Sequence, residues 1–505
     1  MKKFLSLLLA MILVLGLCAC GASEQTQDTG EGTAASESTE AVTNESENDA
    51  TTEYAGLQVG FGRENIIPDI VGVEIAGGDA SARLSDGVID EVAATCIAIK
   101  EGDQTILLYT IDLITVDKQT YQAQSRISEA TGIPEENIIL NCTHTHNGVS
   151  IRSNWPGVDA YRNKVYESCT LAGKQALDDL APAELFYGSA MTENMVFVRH
   201  YLMNDGTTYG NGHGSAKSGY KEHAYPSDGE VQVIKFARED KKDVILTNLG
   251  AHATINSGSE RGKSKSVSAD WPYNVRTYVE ENSDSLCAVF EAAAGDQIPN
   301  SAISGLAPYG NKYPEFGNKI GEYCLEVING EMKKAEGSGI NLKVHNYTAK
   351  SMKEGLDDAE LLSKASEVNA LAGQYGSSAL ETKAAVEKHG FSSVYEATGL
   401  MDRSGYPETY SMELHLMTVD GVSFIFAPFE MFGVTGRAIK DTSPYDMTFV
   451  ITCSENRGGH MGYLPHEYGC EQGFYEYDVT KFARGTAEDL AITYVELLTE
   501  MKNEG

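Results

Sequence analysis

The sequence predicts an α/β protein: mixed β-sheets flanked by helices, forming a single large catalytic domain with a helical insertion. Three observations predict it. Short apolar runs bounded by Gly, Asp and Pro recur along the chain, as buried strands do. Several of these runs come in pairs joined by tight-turn residues, which marks antiparallel hairpins. Stretches with helical periodicity separate the pairs, and strand, helix and strand in succession place helices against a sheet.

Composition supports a folded core. Of 505 residues, 42% are apolar and 22% are charged, which is ordinary for a globular protein. The formal net charge of -34 argues against a nucleic-acid partner, because a polyanion would be repelled.

The first 20 residues read as a lipoprotein signal peptide. Lys2 and Lys3 precede an apolar run over 4–17 that is too short and too N-terminal to be a good spanning helix. The run ends Leu17-Cys18-Ala19-Cys20-Gly21, which resembles a bacterial lipobox. Ala19 is the small residue expected before a lipidated cysteine, so the expectation is cleavage before Cys20 and a lipid anchor. This implies an extracytoplasmic protein held at the cell-membrane surface. An ordinary secretory signal is the alternative. Residues 21–53 are rich in Ser, Thr, Glu, Ala, Gly and Asn and contain no aromatics. Such a stretch cannot bury enough apolar surface to offset its ordering entropy, so it is expected to be an acidic disordered linker. The folded domain is expected over 54–505.

Alternating apolar positions over 57–62 predict a first strand. Two more, over 93–99 and 105–113, are joined at Glu101-Gly102-Asp103. Residues 116–131 predict a helix stopped by Gly132-Ile133-Pro134. A buried strand follows from Ile138, then a helix over 159–180 with Asp159 as N-cap. Residues 203–227 are rich in Gly, Tyr, His and Asn and predict a long loop. A further hairpin spans 231–236 and 243–249, followed by a helix from about Ser268 and a strand over 286–291. Residues 356–396 predict the helical insertion. The last hairpin turns at Asp420-Gly421, a final strand spans 447–453, and an amphipathic helix over 489–501 closes the chain. No internal repeat is visible. The seven cysteines after Cys20 are scattered and imply no disulfide framework, and Cys96, Cys287 and Cys453 fall in apolar runs that mark core positions.

The chemistry collects where apolar strands end. The run Ile138-Ile139-Leu140 leads into Asn141-Cys142-Thr143-His144-Thr145-His146-Asn147-Gly148. In an extended backbone, residues two apart point to one face, so His144 and His146 are expected to project together. A second strand runs into Ala251-His252-Ala253, a third into Pro428-Phe429-Glu430, and a last into a loop holding Tyr463. Open α/β sheets gather their sites at the carboxyl ends of strands. Two imidazoles and a carboxylate with an open position make a catalytic zinc site.

These segments resemble the neutral/alkaline non-lysosomal ceramidase family. The histidine motif is similar to the family's Thr-His-Thr-His-Ser-Gly. Colinear with it are Gly60-Phe61-Gly62-Arg63, Ala251-His252-Ala253-Thr254 with Ser268-Ala269-Asp270, Ala294-Gly295-Asp296 with Pro299-Asn300, Phe429-Glu430, and Gly462-Tyr463-Leu464-Pro465 with Tyr475-Glu476. The resemblance spans roughly 57–500 and implies the family's N-terminal catalytic domain, a Zn2+ cofactor and hydrolysis of the amide of N-acylsphingosine-like (ceramide-type) lipids. Carried over by motif, the zinc ligands are His144, His252, Glu430 and Tyr463. His146 matches the general base, Arg199 the arginine that helps hold the oxyanion, and Tyr475 a substrate-side tyrosine. The implied mechanism is attack by a metal-activated water, with the proton taken by His146.

One position departs from the family. Where its members have Gly-Asp-Val-Ser-Pro-Asn, this chain has Gly295-Asp296-Gln297-Ile298-Pro299-Asn300. An Ile side chain neither donates nor accepts a hydrogen bond, so substrate handling differs there. This motivates an alternative, a related zinc hydrolase acting on another amide or ester. A further alternative is a non-enzymatic surface-binding lipoprotein that keeps the scaffold.

Overall fold

The computed structural model describes residues 56–76, 83–210, 218–256, 265–337, 339–454 and 459–504. The expected signal peptide, Cys20 and the acidic linker lie outside them. The principal sheet has nine strands. Eight follow in the order Ser285–Glu291, Asp243–Leu249, Glu230–Arg238, Ala181–Met191, Gln58–Asn65, Ala93–Glu101, Gln104–Ile111 and Ile138–Ile139. Lys333–Lys334 pairs with Ala181–Met191 off this path. Pairing is antiparallel through the middle and parallel at both ends, where Asp243–Leu249 meets Ser285–Glu291 and Gln104–Ile111 meets Ile138–Ile139. A second sheet of four strands runs Ile340–Lys350, Thr409–Val419, Val422–Phe426 and Thr448–Ile451, again with a parallel final pair.

These sheets contain one topology used three times, although the sequence shows no repeat. In each copy, three antiparallel strands are followed by a helix, a fourth strand parallel to the third, and a second helix. The first copy places Lys118–Thr131 and Val158–Asp178 as its helices, the second Trp271–Asn282 and Tyr313–Asn329, and the third Gly433–Thr442 and Thr486–Glu504. In every copy the long excursion separates the first strand from the second. In the third copy that excursion is the helical insertion Ala359–Tyr375, Leu380–His389 and Val394–Ser404, which closes over its own small core. The repetition lies in backbone pattern, and side-chain identity has diverged beyond recognition.

The two sheets face each other, and helices cover their outer faces. Strand alternation does the sorting. Ile97, Ile99, Ile106 and Leu108 point into the layer between the sheets, with Phe236, Phe290, Phe424, Phe426 and Phe449. Cys96, Ala98, Leu107 and Tyr109 point the other way, onto the first pair of helices. The second and third helix pairs cover the remaining outer faces. Glycine permits the closest of these contacts. A Cβ on Gly60 would stand 1.9 Å from the Ala176 carbonyl oxygen, and one on Gly62 would stand 2.1 Å from that of Ala172. Glu53–Gly505 forms one compact unit.

Three local expectations change. The helix Val158–Asp178 is capped by Gly157, and Asp159 sits inside its first turn, paired with Arg162 at 2.7 Å. The expected long loop at 203–227 instead contains a three-stranded sheet, His200–Met203, Thr208–Gly210 and Tyr220–His223, although residues 211–217 lie outside the described residues. Its Tyr and His residues pack together, as in Tyr201 against Tyr220 and His223, and such ring packing favours strands. The strand before the histidines is only Ile138–Ile139, because Leu140 onward leaves the sheet. All seven cysteines after Cys20 are buried and free. No helix among the described residues is long and apolar enough to cross a membrane.

Candidate metal centre

The three repeats deliver their third- and fourth-strand ends to one place. The first repeat supplies His144 and His146 after its fourth strand. The second supplies His252 three residues beyond Asp243–Leu249. The third supplies Glu430 four residues beyond Val422–Phe426, and His460 and Tyr463 after Thr448–Ile451. This is the carboxyl edge of each parallel pair, where an open sheet leaves room for a site.

Flanking polar residues fix the histidine loop. Thr143 Oγ1 donates to Asp112 Oδ1 at 3.1 Å, and Thr145 Oγ1 donates to the Ser268 carbonyl at 2.8 Å. Asp112 is itself held by Arg276 at 2.8 Å. Arg83 donates to the His146 carbonyl and, at 2.6 Å, to that of Ala76. His144 has a left-handed φ of 57°. The two imidazoles therefore meet across a turn, and the alternation of an extended strand is not what aligns them. Their Nε2 atoms stand 3.2 Å apart.

The three imidazoles form one cluster whose ligand atoms lie within 4.8 Å of one another. Glu430 Oε2 stands 3.4 Å from His144 Nε2 and 3.3 Å from His252 Nε2. Backbone contacts set the tautomers. His144 Nδ1 faces the Ile114 carbonyl at 2.7 Å, and His252 Nδ1 faces those of Ala294 and Gln297 at 2.7 and 3.1 Å. A carbonyl only accepts, so both Nδ1 atoms carry hydrogen, and in the neutral rings both Nε2 lone pairs point inward. Two lone pairs and a carboxylate thus converge in a buried space, and among the described residues Glu430 Oε2 and His252 Nε2 have no well-formed hydrogen bond, only contacts of 3.3–3.4 Å within the cluster. Buried polar groups left this way are costly unless a cation joins them. The donor set of imidazole and carboxylate suits zinc.

The electrostatics divide the histidines: burial opposes it, but Cys453, Glu291 and Glu430 hold the His144 imidazole well above its usual range, so without a cation that ring favours its charged form. Burial alone would raise the Glu430 carboxyl, but His144, His252 and His460 hold it well below its usual range. Burial and the neighbouring charges of Arg199 and His144 leave His252 lowered despite Glu430. Burial likewise lowers His460.

Tyr463 pairs with Glu430 in the short parallel bridge Glu430–Met431 with Tyr463–Leu464. Its phenol is hydrogen-bonded to Arg199, whose guanidinium lies 5.3 Å from the Tyr463 ring centre and 5.9 Å from that of Tyr475. Burial, then Glu430, pushes the Tyr463 phenol well above its ordinary pKa. Arg199 is buried and anchored by Glu476 at 2.6 Å and by the Gly295 carbonyl at 2.8 Å. Tyr475 packs edge-on against Tyr463 at 5.8 Å. Gly295 is required where it stands, since a Cβ there would lie 2.4 Å from the Glu430 carbonyl oxygen. Asp296 next to it accepts from Gly433 N at 2.7 Å and from Tyr225 at 2.9 Å. Ile298 is buried and pairs with Phe197 in a two-stranded bridge.

The structure therefore brings His144, His146, His252 and Glu430 together, with Tyr463, Arg199 and Tyr475 forming an adjoining wall. It adds three residues that sequence reasoning did not assign to the site. His460 Nε2 stands 3.3 Å from Glu430 Oε1. Glu291 and Cys453 cluster behind His144, and burial pushes Glu291 up to about 8. The signal for Glu291 was available: it is an acidic residue ending an apolar strand, the same pattern that marked Glu430.

No protein-family model matches this sequence, and no curated protein matches it. Among solved structures, it is similar to neutral ceramidase from Pseudomonas aeruginosa, with TM-score 0.65 and 16% identity over 90% of this chain and 75% of that one. A ceramidase complexed with C2 matches with TM-score 0.64 and 15% identity over 89% and 76% of the two chains. At this identity the likeness shows a shared fold.

Proposed function

We propose, from the fold shared with the neutral ceramidases, that this chain is a zinc-dependent hydrolase of an N-acyl amide. The observation that carries the reading is the convergence of the His144, His252 and Glu430 donor atoms in a buried space where, among the described residues, Glu430 Oε2 and His252 Nε2 have only each other and His144 within reach. His144, His252 and Glu430 would hold the zinc, with Tyr463 beside them as the fourth candidate. Zinc, when bound, supplies Lewis acidity that polarises an amide carbonyl and acidifies water.

The chain's own residues do the rest. His146 Nε2 faces the same centre and takes a proton from the nucleophile, then returns one to the leaving amine. Arg199, kept cationic and rigid by Glu476, and the Tyr475 phenol form the wall on which negative charge develops at the carbonyl oxygen. Burial of His144, His252 and Glu430 excludes bulk water and strengthens each of these interactions.

The first substrate class is the ceramide-type lipid. Ile298 favours a second, another amide or ester, because the serine of the family is absent. In either case we place the protein outside the cytoplasm, tethered to the membrane surface through lipidated Cys20. The test is a panel of N-acyl lipids, N-acyl amino acids and esters assayed on zinc-loaded protein. Zinc-dependent cleavage of at least one amide is expected. Zinc bound with no turnover of any acyl substrate would instead leave a binding protein on an enzyme scaffold.

A further inference from the structure

Among the described residues, the cleft that opens onto the metal centre is lined mainly by polar side chains, three of them cationic. It holds about 500 Å³ and is lined in part by Glu430, His460 and Tyr463 of the metal centre. Lys118, Arg152 and Lys481 line it. Among the described residues that form its walls, Val479 is the only aliphatic one. A cleft built to take a hydrocarbon chain would show a predominantly apolar lining.

The three cations are poorly compensated. Arg152 reaches Asp117 only at 3.9 Å, and its side chain is 59% exposed. Asp117 is committed elsewhere, since its Oδ1 caps the helix Lys118–Thr131 by accepting from Gln119 N and Thr120 N. Among the described residues, neither Lys118 nor Lys481 has an acidic partner within ion-pair distance. Lys481 is partly buried over the Tyr410 ring at 5.9 Å, and burial and Arg152 both lower its pKa. Two cations that repel each other in the lining of one cleft, in a chain of net charge -34, are a local feature that the general charge balance opposes.

We propose that the cleft recognises an oxyanion on the substrate, so that the natural substrate is an acyl amide carrying a carboxylate or a phosphate. This rests on the amide-hydrolase reading and narrows it. Lys118, Arg152 and Lys481 would hold the anionic end while the amide lies toward Glu430 and His460. Guanidinium and ammonium groups are suited to this task, the first as a planar fork and the second as a point charge. The neutral head of a ceramide offers them hydroxyl and carbonyl oxygens but no opposite charge.

The test is calorimetric binding to the full chain of three ligands with one acyl length: an N-acylglycine, an N-acylethanolamine phosphate and the neutral N-acylethanolamine. Chelator-treated protein is used alongside zinc-loaded protein, so that ligation of the metal by the carboxylate is not mistaken for recognition by the cleft. At least one anionic ligand should bind about tenfold or more tighter than the neutral one in both forms, and the gap should narrow as salt is raised. Arg152→Gln and Lys481→Gln should each bring the ligands toward parity. The carboxylate and phosphate arms identify which anion the cleft prefers. Equal binding of all three, tighter binding of the neutral ligand, or an anionic preference unchanged in both variants overturns the proposal. Cleavage of the same three amides by zinc-loaded protein is scored separately. Absence of any cleavage with the anionic preference intact would sink the hydrolase reading and leave the anion site standing.

Discussion

His144 and His146 face each other with Nε2 atoms 3.2 Å apart, and a left-handed turn at His144 brings them there. The same turn gives them different surroundings. His144 points inward between His252 and Glu430 with its Nδ1 anchored to a backbone carbonyl, whereas His146 approaches from the more open side.

His144→Ala is therefore expected to lose both metal and activity. His146→Ala should keep the metal and lose about 10²–10⁴-fold in turnover, the usual worth of a general base. Metal content measured beside turnover for both variants checks this. Loss of metal from both would mean that the two roles are shared.

Glu430→Gln preserves the shape of the side chain and removes the charge that His144, His252 and His460 surround. Zinc affinity should fall by at least about 100-fold, the upper range seen when supporting metal contacts are lost. Competition with a chromophoric chelator reads this directly. An affinity within a few-fold of wild type would remove Glu430 from the ligand set.

Chelation should abolish activity, and added Zn2+ should restore it. It should also lower thermal stability, because a ligand that binds only the folded state at 100 times its dissociation constant contributes about 2.7 kcal/mol. Differential scanning calorimetry with and without zinc checks this. Identical melting curves would argue that no metal binds the folded chain.

Gly62→Ala places a methyl group 2.1 Å from the Ala172 carbonyl oxygen, and backbone cannot yield as a flexible side chain can. Overpacking of this kind costs about 1–3 kcal/mol. Urea denaturation should show the midpoint falling with an unchanged slope. A neutral result would mean that the helix Val158–Asp178 shifts freely on its strand.

Asp270 links stability to pH. Burial pushes its carboxyl up to about 7 from 3.8, against the hydrogen bonds from the Asn256 and Trp271 backbones. A folded-state pKa above the unfolded one favours the protonated native state. The stabilisation is complete below about pH 3.8 and is lost as pH rises through about 7. For this fully buried group the span is on the order of 4 kcal/mol. Asp270→Asn cannot ionise, so the fall in unfolding free energy between pH 5 and pH 8 should be smaller than in wild type. Equal falls would assign the pH dependence elsewhere.

Much of this was legible in the sequence, and for identifiable reasons. The hairpins at Glu101-Gly102-Asp103 and Asp420-Gly421 were found because the turn residues announce them and the flanking runs alternate. The helix stop at Gly132 was found because that glycine caps the last turn, whereas the start, expected at 116, falls after the N-cap Asp117. His144, His146, His252 and Glu430 were found because each follows an apolar strand. What escaped lies in the relations between distant segments. The threefold topology leaves no repeating side chains to detect. His460 and Glu291 matter only because the third and second repeats turn them toward His144 and Glu430. The cationic cleft joins Lys118, Arg152 and Lys481 from separated segments, which no local pattern connects.

The central claim is that strand ends from all three repeats meet on one divalent ion. Anomalous diffraction at the zinc absorption edge, from crystals of the zinc-loaded protein, tests it most directly. The account predicts a single strong peak about 2.0–2.2 Å from His144 Nε2, His252 Nε2 and a Glu430 carboxylate oxygen. A peak ligated by other residues, or no peak at that position, would contradict it.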